Sequence, residues 1–183
     1  MTATGTDPMA IGTEAMRHTG QAIASSLLGY LAASASPGER PRTLAMPDAE
    51  TLGALQREFA ARHAELWSAM VRSSGEARPE TLVRPAPGDR RFSSPEWAVG
   101  VYFDYLRQAY LLNAEFVRRV TDLIPADDDQ AKGKLRFLAR QFIDAVAPSN
   151  FVATNPEVIQ EALRTDGASL ARGVRNMIED LGK

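Results

Sequence analysis

The sequence contains no cysteine. That excludes disulfides, thiolate metal ligands and a thiol nucleophile together, and it leaves the redox state of the compartment unspecified. Histidine is nearly as scarce, with 2 in 183 residues, so a histidine-built metal site or general base has few places to form. Long apolar runs are missing too. None approaches the roughly 20 residues that span a bilayer, and residues 1–10 lack the basic start and apolar stretch of a secretory signal. A large charge of one sign is also absent: the formal net charge is −2 and the pI is near 5.7. Scattered arginines on such a background give no reason to expect a nucleic-acid partner. These absences together lead us to expect a cytoplasmic protein with no transmembrane segment.

What is present suffices for a folded domain. A 44% hydrophobic and 24% charged composition argues against wholesale disorder and supports one core with an attached N-terminal arm. Two stretches break the helical pattern. Residues 34–47 hold Pro37, Gly38, Pro41 and Pro47, and residues 73–95 hold Gly75, Pro79, Pro85, Pro87, Gly88 and Pro95. Proline removes backbone donors and biases the preceding residue towards extended conformations, so both read as linkers. The expected division is a flexible or amphipathic arm over 1–47, an amphipathic helix over 48–72, a Pro-rich linker over 73–94 and a helical core over 95–183.

In the arm, Met9, Met16, Ile23 and Tyr30 recur every seven residues, with Leu27 and Leu31 on the same side. That is a narrow apolar seam on a helix, and these six residues are the candidate contact with a partner or apolar surface. Packing back on the same chain, or fraying, is the alternative. Leu52, Leu55, Phe59, Leu66 and Met70 follow at three- and four-residue spacing after Asp48, a candidate N-cap. His63 and Trp67 near this face read as core groups, with no second ligand one turn away.

Beyond 89 the signals are denser. Ser93–Glu96 and Thr154–Glu157 each pair a hydroxyl with a glutamate three residues on, beside a proline, as capping boxes do. Between them Tyr102, Tyr105, Leu106, Ala109, Leu112, Phe116, Val120 and Leu123 form one stripe, widened by Tyr110, Leu111 and Val117, so this helix should be covered on more than one face. The acids 127–129 read as a helix N-terminus and not as a cation site. A helix over 130–147 should bury Leu135, Leu138, Phe142 and Val146. A short one over 156–165 should offer Val158, Ile159, Ala162 and Leu163, stopping at Gly167. A last helix carries Leu170, Val174, Met177, Ile178 and Leu181. Strand-length alternation appears nowhere, so the fold is expected to be all-α, about five to six helices with Pro-rich linkers.

No chemistry-bearing motif emerges. The serine pairs Ser25–Ser26, Ser73–Ser74 and Ser93–Ser94 lie without a nearby histidine and acid, and neither a nucleophile elbow, a phosphate loop nor a His-Glu-x-x-His helix is present. Catalytic, cofactor-binding and metal sites are all expected to be none. Arg90 and Arg91 either grip an anion or act as an ion-pair brace, and the brace is the better reading.

Several separated motifs nevertheless agree with one family. They are Asp89–Phe92 (Asp-Arg-Arg-Phe), Trp97, Tyr105–Leu112, Arg136–Phe137, Ala147–Phe151, Thr154–Glu157 and Arg172–Leu181. In this order and spacing they resemble the N-terminal domain of class I polyhydroxyalkanoate synthases, over about 89–183. The resemblance implies a parent acyltransferase that polymerises (R)-3-hydroxyacyl groups from coenzyme A thioesters. Its chemistry would lie in a following α/β-hydrolase domain, with a cysteine nucleophile activated by histidine and aspartate. This sequence ends at Lys183 and has no cysteine, so no catalytic residue of that family is carried over to it. The partners implied are that catalytic domain, a second copy in a homodimer, and granule-associated proteins or the polymer granule surface. A stand-alone helical adaptor, binding a partner helix or apolar surface, is the alternative.

Overall fold

A computed structural model of the chain describes residues 47–73 and 81–165, together with Ser25, Gly29, 167–169, Arg172, Arg175 and Asn176. These residues form no strand. Five α-helices follow one another: α1 (Ala49–Ser73), α2 (Glu96–Val99), α3 (Val101–Leu123), α4 (Asp129–Ala145) and α5 (Pro156–Arg164), with 3₁₀ turns at Arg90–Phe92 and Pro148–Asn150. The expected all-α class is borne out. The expected last helix and the seam residues Met9, Met16, Ile23, Leu27, Tyr30 and Leu31 lie outside the described residues.

α1 starts where Asp48 Oδ2 accepts the Thr51 amide at 2.8 Å, satisfying one of the donors a helix start leaves free. Its apolar face then packs along α3. Phe59 stacks on Phe116 with ring centroids 4.4 Å apart, His63 bonds Asn113, and Trp67 meets Tyr105. As α1 residue numbers rise, their α3 partners fall, so the two helices run antiparallel.

α3 lies at the centre, with α1, α2 and α4 against it. Tyr110, Leu111, Leu112, Ala114, Phe116, Val117 and Val120 are all buried, so it is covered on more than one face as its wide stripe implies. The helix ends at Ile124, whose extended backbone precedes Pro125. Lys132 Nζ reaches back to the freed carbonyls of Asp122 (2.9 Å) and Thr121 (3.3 Å), and also to that of Ile124. The acidic run does what a helix start requires: Asp128 Oδ1 accepts the Ala131 amide at 2.7 Å. α4 packs back through Ala139 and Ile143. At the end of α5, Gly167 has φ +82° and donates to Ala162 O at 2.8 Å, the left-handed stop expected of it.

Several local expectations are corrected. Ser93 does not cap α2; its hydroxyl donates to Arg90 O, and the helix begins after Pro95 with no side-chain cap. Thr154 donates to Pro148 O, and Asn155 caps α5 by accepting from Glu157 and Val158. In both cases the hydroxyl serves the preceding turn. Tyr102, Val146 and Leu163 are exposed at the margins of their stripes, as is Trp67, which Tyr105 of α3 covers on one side only.

Candidate functional site

The residues with chemical character converge on three structural networks. In α3, the spacing Asp104, Arg107, Gln108 places all three on one side of the helix. Gln108 is 1% exposed; its Oε1 accepts the amides of Leu82 (2.8 Å) and Val83 (2.9 Å), and its Nε2 donates to Asp104 Oδ2 at 2.7 Å. Asp104, also buried, is paired with Arg107 as well. A buried carboxylate is tolerable only when paired and hydrogen-bonded, and here the pairing holds an irregular segment against α3. Sequence reasoning missed this network because the polar residues interrupt an otherwise apolar stripe; their i, i+3, i+4 spacing was the available signal.

The second network is built on Arg91. Its guanidinium bonds Asp89 (2.8 Å), Asp144 (2.8 Å) and the Tyr110 hydroxyl (2.6 Å), while that hydroxyl donates to Ile143 O at 2.9 Å. Arg91 therefore ties the start of the 3₁₀ turn to α3 and α4. Its hydrogen bonds hold the Asp89 carboxyl below the usual carboxylate range. Burial pushes the Tyr110 phenol up. Phe92 and Trp97 pack edge-on beside them, centroids 4.9 Å apart, with Tyr110 5.5 Å from Phe92. The brace reading of the arginine pair holds for Arg91, whose fork is filled by protein groups, while Arg90 is exposed.

His63 makes the third. It is 2% exposed, its Nε2 lies 3.0 Å from Asn113 Oδ1, and its ring meets Phe59 edge-on. Burial lowers its pKa. It is a packed, hydrogen-bonded core histidine, as its position on the α1 face implies. Among the described residues, no three His, Asp or Glu side chains gather as a metal would require. No described helix is long and apolar enough to cross a membrane.

Two motif asparagines beyond α4 are likewise engaged. Asn150 Nδ2 donates to Asp144 O at 2.7 Å and Asn155 Nδ2 to Ser149 O at 2.9 Å, fixing the turn between α4 and α5. Apolar surface is also open to contact with other molecules. Trp67, Val71 and Tyr102 are exposed on α1 and α3, and Val99, Phe151, Val152 and Leu163 are exposed on α2, α5 and the turn before it. Of the seam in the arm, Ser25 and Gly29 between the candidate residues are helical and exposed.

Comparisons with known proteins cover these residues and more. Residues 88–183 match the family described as the N-terminus of poly-beta-hydroxybutyrate polymerase (PhaC). A poly(3-hydroxyalkanoate) polymerase of Methylorubrum extorquens is 33% identical over 136 residues, 74% of this chain and 22% of the relative. The poly(3-hydroxyalkanoate) polymerase subunit PhaC of Cupriavidus necator is 34% identical over 153 residues, 84% of this chain and 25% of the relative. Poly(3-hydroxyalkanoate) polymerase 2 of Ectopseudomonas oleovorans is 35% identical over 102 residues, 56% of this chain and 18% of the relative. The chain thus spans a quarter or less of each of these curated relatives. No solved structure matches it. Matched over more than half its length, the chain belongs to the family of poly-beta-hydroxybutyrate polymerase (PhaC) N-termini.

Proposed function

We propose that this chain is the non-catalytic N-terminal part of a polyhydroxyalkanoate synthase, serving dimerisation, granule localisation or partner contact for an acyltransferase that polymerises (R)-3-hydroxyacyl-CoA. The family match over 88–183 carries this reading. Two observations support it. The matched residues Asp89, Arg91, Trp97, Tyr110 and Asn155 are engaged in packing, capping and bracing. The chain also has no cysteine, the residue type suited to attack a thioester and carry the acyl chain. The nucleophile, with its histidine and aspartate, would come from an α/β-hydrolase catalytic domain, the main expected partner.

The chain alone should release no coenzyme A from 3-hydroxybutyryl-CoA; measurable turnover by the purified 183-residue protein overturns the reading. Supplied in trans to a catalytic domain, it should shorten the lag or alter the apparent affinity. Location at the polymer granule is a second component of the proposal, through Met9, Met16, Ile23, Leu27, Tyr30 and Leu31, as amphipathic helices bind interfaces. Deleting residues 1–33 should lower the share of protein that sediments with granules and leave the helical fold of 88–165 in place. Unchanged sedimentation removes the seam from the granule contact.

A further inference from the structure

α4 packs on α3 through Ala139 and Ile143, and its opposite side faces outward. On that outer side stands Phe137, 55% exposed. It is half of the motif Arg136–Phe137. Arg136 is accounted for, since its Nε donates to Asp122 Oδ1 at 2.8 Å, and Phe137 is not. One turn before Phe137 is Gly133, also exposed. Glycine is disfavoured inside a helix. Nothing around Gly133 asks for it, because a Cβ there would meet no atom within 4 Å. A second helix laid across this point at close range would.

The polar residues around this pair follow a matching order. Asp129 and Arg140 are eleven positions apart (140 − 129 = 11), and so are Gln130 and Gln141 (141 − 130 = 11). Eleven residues make about three turns, so the members of each pair share one flank of the helix. At about 100° per residue, Asp129 and Arg140 fall on one side of Gly133 and Phe137, and Gln130 and Gln141 on the other. All four are exposed. The outer face of α4 is thus ordered symmetrically about position 135.

We infer that α4 pairs with α4 of a second copy of this chain, antiparallel about a two-fold axis level with position 135. Each Phe137 then lies over Gly133 of the other copy, a large ring over the one position without a side chain. Arg140 comes within about 1.5 Å, one residue's rise, of the level of Asp129 in the other copy and on the same flank. Neither is in an ion pair among the described residues, and the symmetry forms this pair twice. Gln141 comes level with Gln130 in the same way. A parallel pair would set Asp129 beside Asp129 and Arg140 beside Arg140, so charge selects the antiparallel one. An aromatic centre ringed by polar groups is the arrangement in which a small interface concentrates its binding energy. One 17-residue helix against its copy is a small contact, so the dimer should be weak and concentration-dependent. The inference rests on the dimerisation part of the role proposed above and gives it a surface.

In analytical ultracentrifugation the full chain should pass from monomer to dimer as its concentration rises. Phe137→Ser should weaken the association roughly tenfold or more. Gly133→Gln should do the same while raising the melting temperature, because it removes a glycine from an exposed helix position of the monomer. A change that merely damaged the fold would lower both. Arg140→Glu alone and Asp129→Lys alone should each weaken the dimer, and the two together should restore it, so the pairing stays testable if Phe137→Ser folds poorly. The absence of cysteine allows the register to be read. Chains carrying Gln130→Cys, mixed with chains carrying Gln141→Cys, should be joined by a short bis-maleimide faster than either chain is joined to itself. Faster joining of like chains would overturn the antiparallel register. A dimer that survives all of these changes would overturn the pairing, and so would a chain that stays monomeric up to roughly hundreds of micromolar. Either result leaves the synthase reading standing without this surface, whereas turnover by the isolated chain removes that reading and leaves the pairing.

Discussion

The two tryptophans, Trp67 and Trp97, have opposite surroundings. Trp97 in α2 is 0% exposed, and Phe92 and Phe103 each present a ring to it edge-on. Trp67 in α1 is 46% exposed and meets one ring, Tyr105. Both are large apolar residues in helices, so residue type does not separate them. What differs is how many elements converge. Around Trp97 the 3₁₀ turn, α2 and α3 meet, with the Arg91 network closing the edge; around Trp67 only α1 and α3 do. The family match begins at residue 88, so it contains the first environment whole and, of the second, Tyr105 but not Trp67.

The sharpest way to break this comparison is to truncate both rings. Trp97→Ala should cost about 3–5 kcal/mol, the range for emptying a fully buried aromatic site, and urea denaturation should show a marginal or unfolded domain. Trp67→Ala should cost about 1 kcal/mol or less, as half-exposed positions do. Equal losses would mean that the α1 flank is as tightly built as the centre.

Next in size is the polar clamp. Gln108→Leu would leave the Leu82 and Val83 amides and one Asp104 oxygen without their partner, a loss of about 2–3 kcal/mol. Hydrogen exchange should quicken first at Leu82 and Val83 and leave the Ala139–Ile143 turn of α4 protected. Uniform acceleration would show that the clamp supports the whole core and not the one segment.

This clamp also marks the limit of what the sequence displays. The apolar periodicities of α1, α3 and α4, the acidic start of α4 and the glycine stop at Gly167 are local patterns, and each lies where its pattern indicates. Burial of Asp104 and Gln108 is not local: it depends on residues 82–83 crossing α3 some 25 positions away in the chain. Leu163 shows the converse. α5 is the most two-sided helix in its pattern, yet Leu163 is 74% exposed because a face is buried only if another element reaches it. The brace at Arg91 was legible as one of two options, and the structure selects it by bringing Asp144 and Tyr110 to the guanidinium. The candidate contact residues of the arm were legible only as a seam; what covers them is a question of tertiary placement, which heptad spacing alone does not answer.

Between the two regions in strength lies the α1–α3 seam, where acid should act first. His63 Nε2 donates to Asn113, and Nδ1 finds no partner among the described residues. Protonation would put a charge and an unmatched donor into the core, and burial accordingly lowers the imidazole pKa below its usual 6.5. The unfolded chain then binds the proton more readily than the folded one. Stability is fully present above about pH 6.5 and declines as the pH falls through the lower folded value. Asp48, Glu58, Asp89 and Glu161, also lowered, begin from 3.8 to 4.5 and matter only in stronger acid. The urea midpoint should therefore drop between pH 7.5 and 5, and His63→Gln should flatten that slope. An unchanged slope would place the acid-sensitive group elsewhere.

The smallest effect is expected at the surface ion pair that bridges the two regions above their apolar contact. Arg119 makes a two-pronged pair with Glu58 across α3 and α1, at 2.5 and 2.8 Å, but the side chains are 43% and 47% exposed. Geometry of this kind raises the value of a pair, while exposure to water and salt lowers it. Exposure should prevail. Arg119→Ala should cost no more than about 1 kcal/mol, and the difference from the unaltered chain should shrink further at high salt. The apolar face beneath, with Phe59 on Phe116, would still hold α1 in place. If Arg119→Ala instead released α1, seen as fast exchange along Ala49–Ser73 with α3 and α4 protected, the attachment would be electrostatic. Trp67 would then be exposed because its helix is only lightly held.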